Sequence, residues 1–223
     1  MKISQSIKDS FSPREKVMYH ALEIVGKMLR QNPMGDLGLY PMKIPDLHLG
    51  HYNAMSRFDH RPFKTLDEMD KKIIQNINQV VTPQDELYLL GDVSWYKPDK
   101  TAELIKSINC KNRFLIVGNH DSWVKNGYCK KLFQGIYDLK RVDDKGRIVV
   151  LCHYPIAVWD QSHRGSYHLY GHVHSNINED GDMTHNILEQ PEMKNAFNVG
   201  CMLPYMDYTP RTLDFIIKHY KNN

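Results

Sequence analysis

The sequence predicts an α/β fold of four layers, α/β/β/α, with two mixed sheets packed face to face and helices outside. Three observations predict it. Apolar runs in the first half of the chain alternate with helical patterns, as in β-α-β units with parallel pairing. Apolar runs in the second half follow one another with only turns between them, which predicts antiparallel strands. Five runs stop at clusters of Asp, Asn and His, and the C-terminal ends of strands are where open α/β sheets gather ligands.

The elements follow in order. With 223 residues, one domain spanning 1–223 is expected, with residues 1–35 as a helical extension ahead of the core. In that extension Ser12-Pro13-Arg14-Glu15 is a capping box with Pro at the first helical position. Val17, Ala21, Ile24, Val25 and Met28 follow at helical spacing until Asn32-Pro33. Thr65-Leu66-Asp67-Glu68 repeats the device and opens a helix through Met69, Ile73, Ile77 and Val80. A third helix runs from about Pro98 to Asn109, with Ala102, Ile105 and Ile108 on one side. The apolar runs are ELYLLGD at 86–92, RFLIVGNHD at 113–121, RIVVLCHYP at 147–155, YHLYGHVH at 167–174, AFNVG at 196–200 and TLDFIIKHY at 212–220. Ahead of them all, Pro41 and Pro45 each lack a backbone donor, which limits the first strand's length and pairing.

Composition narrows the function. Lys and Arg number 29 against 26 Asp and Glu, a net charge of +3, too small to argue for nucleic acid as a bulk electrostatic partner. The N-terminus lacks the apolar stretch of a signal peptide, and no run approaches the roughly 20 residues of a membrane-spanning helix. A cytoplasmic protein with no membrane partner is expected. The four cysteines, none spaced C-x-x-C, are expected reduced and mostly buried.

The polar clusters are Asp46-Leu47-His48, Gly91-Asp92, Gly118-Asn119-His120-Asp121, His153, and Gly171-His172-Val173-His174. A turn after Val117 needs only Gly and one Asn or Asp, so His120 is surplus to the turn. Oxygen and imidazole donors without thiolates suit Mn²⁺, Fe²⁺ or Zn²⁺ at a reactive centre and argue against a structural zinc site. In a strand, residues two apart face the same way. Asp46 and His48 can therefore meet one ion. His172 and His174 can do so if their strand persists, or serve two ions if it bends at Gly171.

The order D-x-H, G-D, G-N-H-D, H, G-H-x-H resembles the calcineurin-like metallophosphoesterase family over about residues 35–223. The tail FNVGCMLPYMDYTP also resembles the closing strand and loop of small members. The resemblance implies two divalent ions, Mn²⁺ foremost with Fe or Zn as alternatives. Asp46, His48, Asp92 and His174 would hold the first. Asp92, Asn119, His153 and His172 would hold the second, with Asp92 bridging. His120 would face the substrate as acid or charge donor, and Asp121 would orient and charge it. The activity implied is hydrolysis of a phosphate ester, a phosphodiester first, by a metal-bound hydroxide. A nuclease or phosphomonoesterase of the same fold is the alternative. From another class comes a metal-dependent binding scaffold, which the loss of His120 or several ligands would have indicated. The partner expected is a small phosphate ester, nucleotides included.

Five further residues are candidates for substrate contact. His51 and Arg57 follow the first motif, and His163, Arg164 and His168 lie in the segment joining the strands that carry His153 and His172. Each has an ordinary solvated or packing role as its competitor. Trp95, Trp123 and Trp159 read as packing residues.

Overall fold

Eight strands form two four-stranded sheets among the described residues of the computed structural model, which are 40–174, 190–220 and Ser12. The helix expected over residues 13–32 lies outside them. Leu39–Asn223 makes one compact unit. The first sheet joins β1 (Pro41–Ile44), β2 (Glu86–Leu89), β3 (Asn112–Ile116) and β4 (Gly135–Tyr137) in that order, all parallel. The second joins β5 (Leu139–Asp144), β6 (Arg147–Cys152), β7 (Tyr167–Tyr170) and β8 (Ala196–Asn198). There β5 and β6 are antiparallel while β6, β7 and β8 run parallel. The second sheet is thus mixed as expected and the first wholly parallel. The antiparallel order expected of the later strands holds only for β5 and β6.

Alternation along the strands builds the layers. Tyr88, Leu90 and Ile116 face Val149, Leu151, Leu169 and Phe197 in a core between the sheets. Ile44, Leu87, Leu89 and Leu115 face outward and meet the apolar stripes of α1 (Leu66–Val80) and α2 (Pro98–Lys106). Those stripes are Met69, Ile73 and Ile77, and Ala102 and Ile105. Thr65 caps α1 by accepting from the Glu68 N–H at 3.1 Å. Its glutamate reaches one residue further than a capping box requires, taking the Lys64 N–H at 2.9 Å. A short helix, α3, spans Gly127–Lys130. On the far side of the second sheet, Val150, Tyr170 and Ala196 pack with Trp159 and with Met193 of a 3₁₀ turn.

The run at 212–220, read above among the strands, is a helix, α4 (Leu213–Tyr220). Leu213, Ile216, Ile217 and Tyr220 all join the core between the sheets, and that spacing of three, one and three is helical. The prolines of the first strand sit where a strand admits them: Pro41 is its first residue and Pro45 follows its last, on the sheet's edge. Fully buried Lys43 points from β1 across to Asp144 of β5, Nζ to Oδ2 2.6 Å, tying one sheet to the other. No helix among the described residues is long and apolar enough to cross a membrane.

Candidate metal centre

The five motifs converge because their strands end side by side. Beyond β1 and β2 the chains stay zipped, with Asp46 N donating to Gly91 O at 3.0 Å and His48 N to Asp92 O at 2.9 Å. In the second sheet Gly171 N donates to His153 O at 3.0 Å. Asp46 and His48 lie past the end of β1, and His172 and His174 past the end of β7. The two-residue period of a strand therefore does not aim them. Their backbones are left-handed instead: φ is 56° at Asp46, 48° at His48, 52° at Asp92, 71° at His172 and 32° at His174. Side chains rarely tolerate such angles, and a cluster of them marks a functional loop set. Two glycines let these loops touch. A Cβ on Gly118 would lie 2.3 Å from Asp92 Oδ1, and one on Gly171 2.5 Å from Asp46 Oδ2.

Two groups of donors result, Asp46 with His48 and Asp92, and Asp92 with His153 and His172, each with its donor atoms within 4.8 Å of one another. Asp92 belongs to both. Its Oδ2 lies 3.6 Å from His48 Nε2 and its Oδ1 3.6 Å from His153 Nε2. His174 stands beside the first group, Nε2 to His48 Nε2 3.3 Å. Asn119 joins the second, Oδ1 to His153 Nε2 3.1 Å. Such spacings approach those of neighbouring donors sharing one ion at about 2.1 Å. The imidazoles are prepared for this. His153 Nδ1–H donates to Leu90 O at 2.9 Å, and His174 Nδ1 meets Asp59 Oδ1 at 3.0 Å. Fixing Nδ1 in this way leaves Nε2 as the free donor. Burial, together with Arg61, His174, His51 and His120, holds His48 well below the usual imidazole range, in its neutral, metal-binding form. These buried Asp and His groups can hold a metal ion.

Further residues hold the donors in place, and reading the sequence missed Asp59 and Arg61 among them. Buried Arg61 donates to the carbonyls of Asp46 at 2.9 Å and Leu47 at 2.8 Å, and pairs with Asp59 at 2.9 Å. Asp59 in turn meets His174. Both residues follow a π-helical turn, Ala54–Phe58, within a short polar stretch that looks like any solvated turn. Arg57, a candidate for substrate contact, is exposed on that turn. Asp121 also differs from expectation. Its carboxylate accepts from the N–H groups of Asp92, Val93 and Gly118, each at 2.9 Å, and from Trp123 Nε1 at 3.0 Å. Four donors claim its oxygens, so it clamps the loop after β3 to the loop after β2 and sets Asp92, rather than orienting His120.

His120 is partly exposed, its Nε2 4.0 Å from Asp92 Oδ2. His51 is buried between His48, 3.1 Å from Nδ1 to Nδ1, and Trp95, on which it stacks. The substrate role expected of the segment from Trp159 to His168 needs correction. Because β6 and β7 are parallel neighbours, the chain leaving His153 must return to the opposite end of the strands before β7 begins, and His172 stands past the far end of β7. His168 is fully buried on the sheet's outer face, Nδ1 on Val150 O at 3.0 Å and Nε2 accepting from Ile156 N at 3.1 Å. His163 and Gly165 line a separate cavity with Pro191, Glu192 and Lys194, and Arg164 is exposed on the same turn.

No family model matches the chain. A protein of Methanocaldococcus jannaschii named as uncharacterised, MJ1445, is 28% identical over 177 residues, 78% of this chain and 88% of that one. Among solved structures, a protein of unknown function from Aquifex aeolicus, AQ665, superposes with a TM-score of 0.62 at 25% identity, over 82% of this chain and all of that one. A Streptococcus pneumoniae protein described as a predicted phosphoesterase reaches a TM-score of 0.31 at 14% identity, over 60% of this chain and 62% of that one, too distant to bear on function.

Proposed function

We propose that the protein is a cytoplasmic, metal-dependent hydrolase of small phosphate esters, phosphodiesters foremost, with two divalent ions, Mn²⁺ first, bridged by Asp92. The reading follows the motif order that resembles the calcineurin-like metallophosphoesterases. The single observation that carries it is the division of Asp92, one oxygen toward His48 and the other toward His153. A carboxylate has lone pairs enough on each oxygen for two ions.

Asp46, His48, His174 and Asp92 would hold one ion, and Asp92, Asn119, His153 and His172 the other. When bound, such a pair supplies a nucleophile from water near neutral pH and offsets charge on the phosphoryl oxygens. The chain does the rest. Arg61, Asp59 and Asp121 keep the donors fixed. His120, beside Asp92 yet partly exposed, can give a proton to the departing alkoxide or set positive charge against a phosphoryl oxygen.

The test joins metal analysis to a panel of esters. The Mn²⁺-loaded protein should hold two ions per chain and hydrolyse bis(p-nitrophenyl) phosphate faster than p-nitrophenyl phosphate. Asp92→Asn should lower occupancy at both positions. One ion fully retained in that variant would refute the bridge, and inactivity on every ester with two ions bound would refute the hydrolase.

A further inference from the structure

Trp95, read from the sequence as a packing residue, is 46% exposed. It is nevertheless held firmly. The buried imidazole of His51 lies parallel to it, centroids 3.8 Å apart and planes 2° apart, and His51 is itself fixed against His48. A ring so stacked covers one face of the indole, so the exposed area lies on the opposite face and the edges. His120 is 4.3 Å from Trp95 and 6.5 Å from His51. Tilted at 50° to the indole, His120 leans over part of what His51 leaves, and the 46% that stays exposed is the remainder of the outer face and the edges.

The space there is a cavity of about 440 Å³ lined by Trp95, Tyr96, Lys97, Pro98, His120 and Ser122, with Asn119 also on its wall. That volume lies in the range of small-molecule sites. The cavity therefore opens at His120, next to the donor groups, and has an aromatic wall that is already in position. A wall of this kind loses little freedom on binding, so its contact energy is not spent on ordering. Lys97 and Ser122, both exposed, add hydrogen-bond donors at the same cavity. A planar ring carrying nitrogen and carbonyl acceptors matches that combination; a plain hydrocarbon ring would leave the donors unanswered.

We propose that the cavity beside His120 receives the nucleobase of a nucleotide ester, stacked on the face of Trp95 opposite His51. This rests on the phosphoesterase reading and names the substrate class for it. The base would lie on Trp95 while the phosphate faces the donor groups of Asp92, Asn119 and His153, so one end sets specificity and the other the chemistry.

Trp95 also supplies the signal for the test, because Trp123 and Trp159 are buried and Trp95 is thus the exposed fluorophore of the three. The Mn²⁺-loaded protein is titrated with adenosine 5′-monophosphate, ribose 5-phosphate and phenyl phosphate, read immediately after mixing, with acrylamide quenching alongside. Adenosine monophosphate should bind roughly 5- to 150-fold tighter than ribose 5-phosphate, the range of one base stacked on an aromatic side chain, and should shield the exposed tryptophan from acrylamide. Trp95→Ala should bring the two affinities together by weakening only the nucleotide, and Trp95→Phe should keep part of the difference. Equal binding of adenosine monophosphate and ribose 5-phosphate by the unaltered protein would overturn the proposal while leaving the hydrolase standing. So would phenyl phosphate binding as tightly as the nucleotide, or loss of the difference in Tyr154→Ala, whose exposed ring lies on the other side beside His172. Failure of the phosphoesterase reading looks different: metal loading would then raise the affinity of none of the three phosphates.

Discussion

The backbone N–H of His172 lies 3.1 Å from each carboxylate oxygen of Asp46. One residue follows β1 of the first sheet and the other follows β7 of the second, so the junction of the sheets runs through a buried carboxylate. Burial pushes that carboxyl up to about 6 from its ordinary 3.8, against the pull of His153 and His174.

The metal-free protein should therefore lose stability as pH rises through that interval. Between about pH 4 and 6 the folded state keeps a proton on Asp46 that the unfolded chain has released, so the folded state is favoured at the acid end and the advantage is gone above. Asp46→Asn, measured by urea unfolding in chelator, should be more stable than the parent at pH 7 by up to about 3 kcal/mol. No gain at neutral pH would show that the carboxylate is not under this strain. Metal binding should fall in the same variant.

Asp59 meets His174 and Arg61. Asp59→Ala should weaken metal binding about 10- to 100-fold, the usual effect of losing the partner that orients a histidine ligand. Asp59→Asn should lose less, because its carbonyl oxygen can still accept from Nδ1–H. Chelator competition measures both. Undiminished affinity in Asp59→Ala would reduce the contact to packing.

His120→Ala should keep its metals and lose turnover by roughly 10²–10⁴-fold. The loss should shrink on esters with p-nitrophenolate as leaving group, which needs no proton. An equal loss on activated and unactivated esters would assign His120 to charge stabilisation, and loss of bound metal would return it to a structural role.

Lys43 and Asp144 are both buried and pair across the sheets at 2.6 Å. Asp144→Leu should cost on the order of 3–5 kcal/mol in denaturant unfolding, since it strands a buried ammonium. Adding Lys43→Met should restore most of it, because an apolar pair of similar volume removes both desolvation costs. If the double variant is as unstable as the single, the packing rather than the charge is what matters there.

The sequence by itself pointed to the Asp, Asn and His residues that the fold brings together. Four of the five motifs stand directly after an apolar run, and parallel strands laid side by side bring their C-terminal ends to one end of the sheet. An apolar stretch followed by Gly and a polar residue pointed to Asp92 and Asn119, and the order of the motifs added Asp46 and His153. The two β-α helices were as legible, through the Thr65 cap and the spacing of Met69, Ile73 and Ile77.

Only the tertiary structure decided what holds those donors and what lies beyond them. Whether β7 runs with or against β6 depends on hydrogen bonds between distant segments, and that choice moved His163, Arg164 and His168 away from the donors. Asp121 finds Asp92 and Val93 at separations of 29 and 28 residues, and Lys43 finds Asp144 at 101. Asp59, Arg61 and Trp95 acquire their roles from His174, Asp46 and His51 in the same way. Such partners leave no period in the chain, because they are selected by the shape of the packed fold rather than by the geometry of a helix or strand.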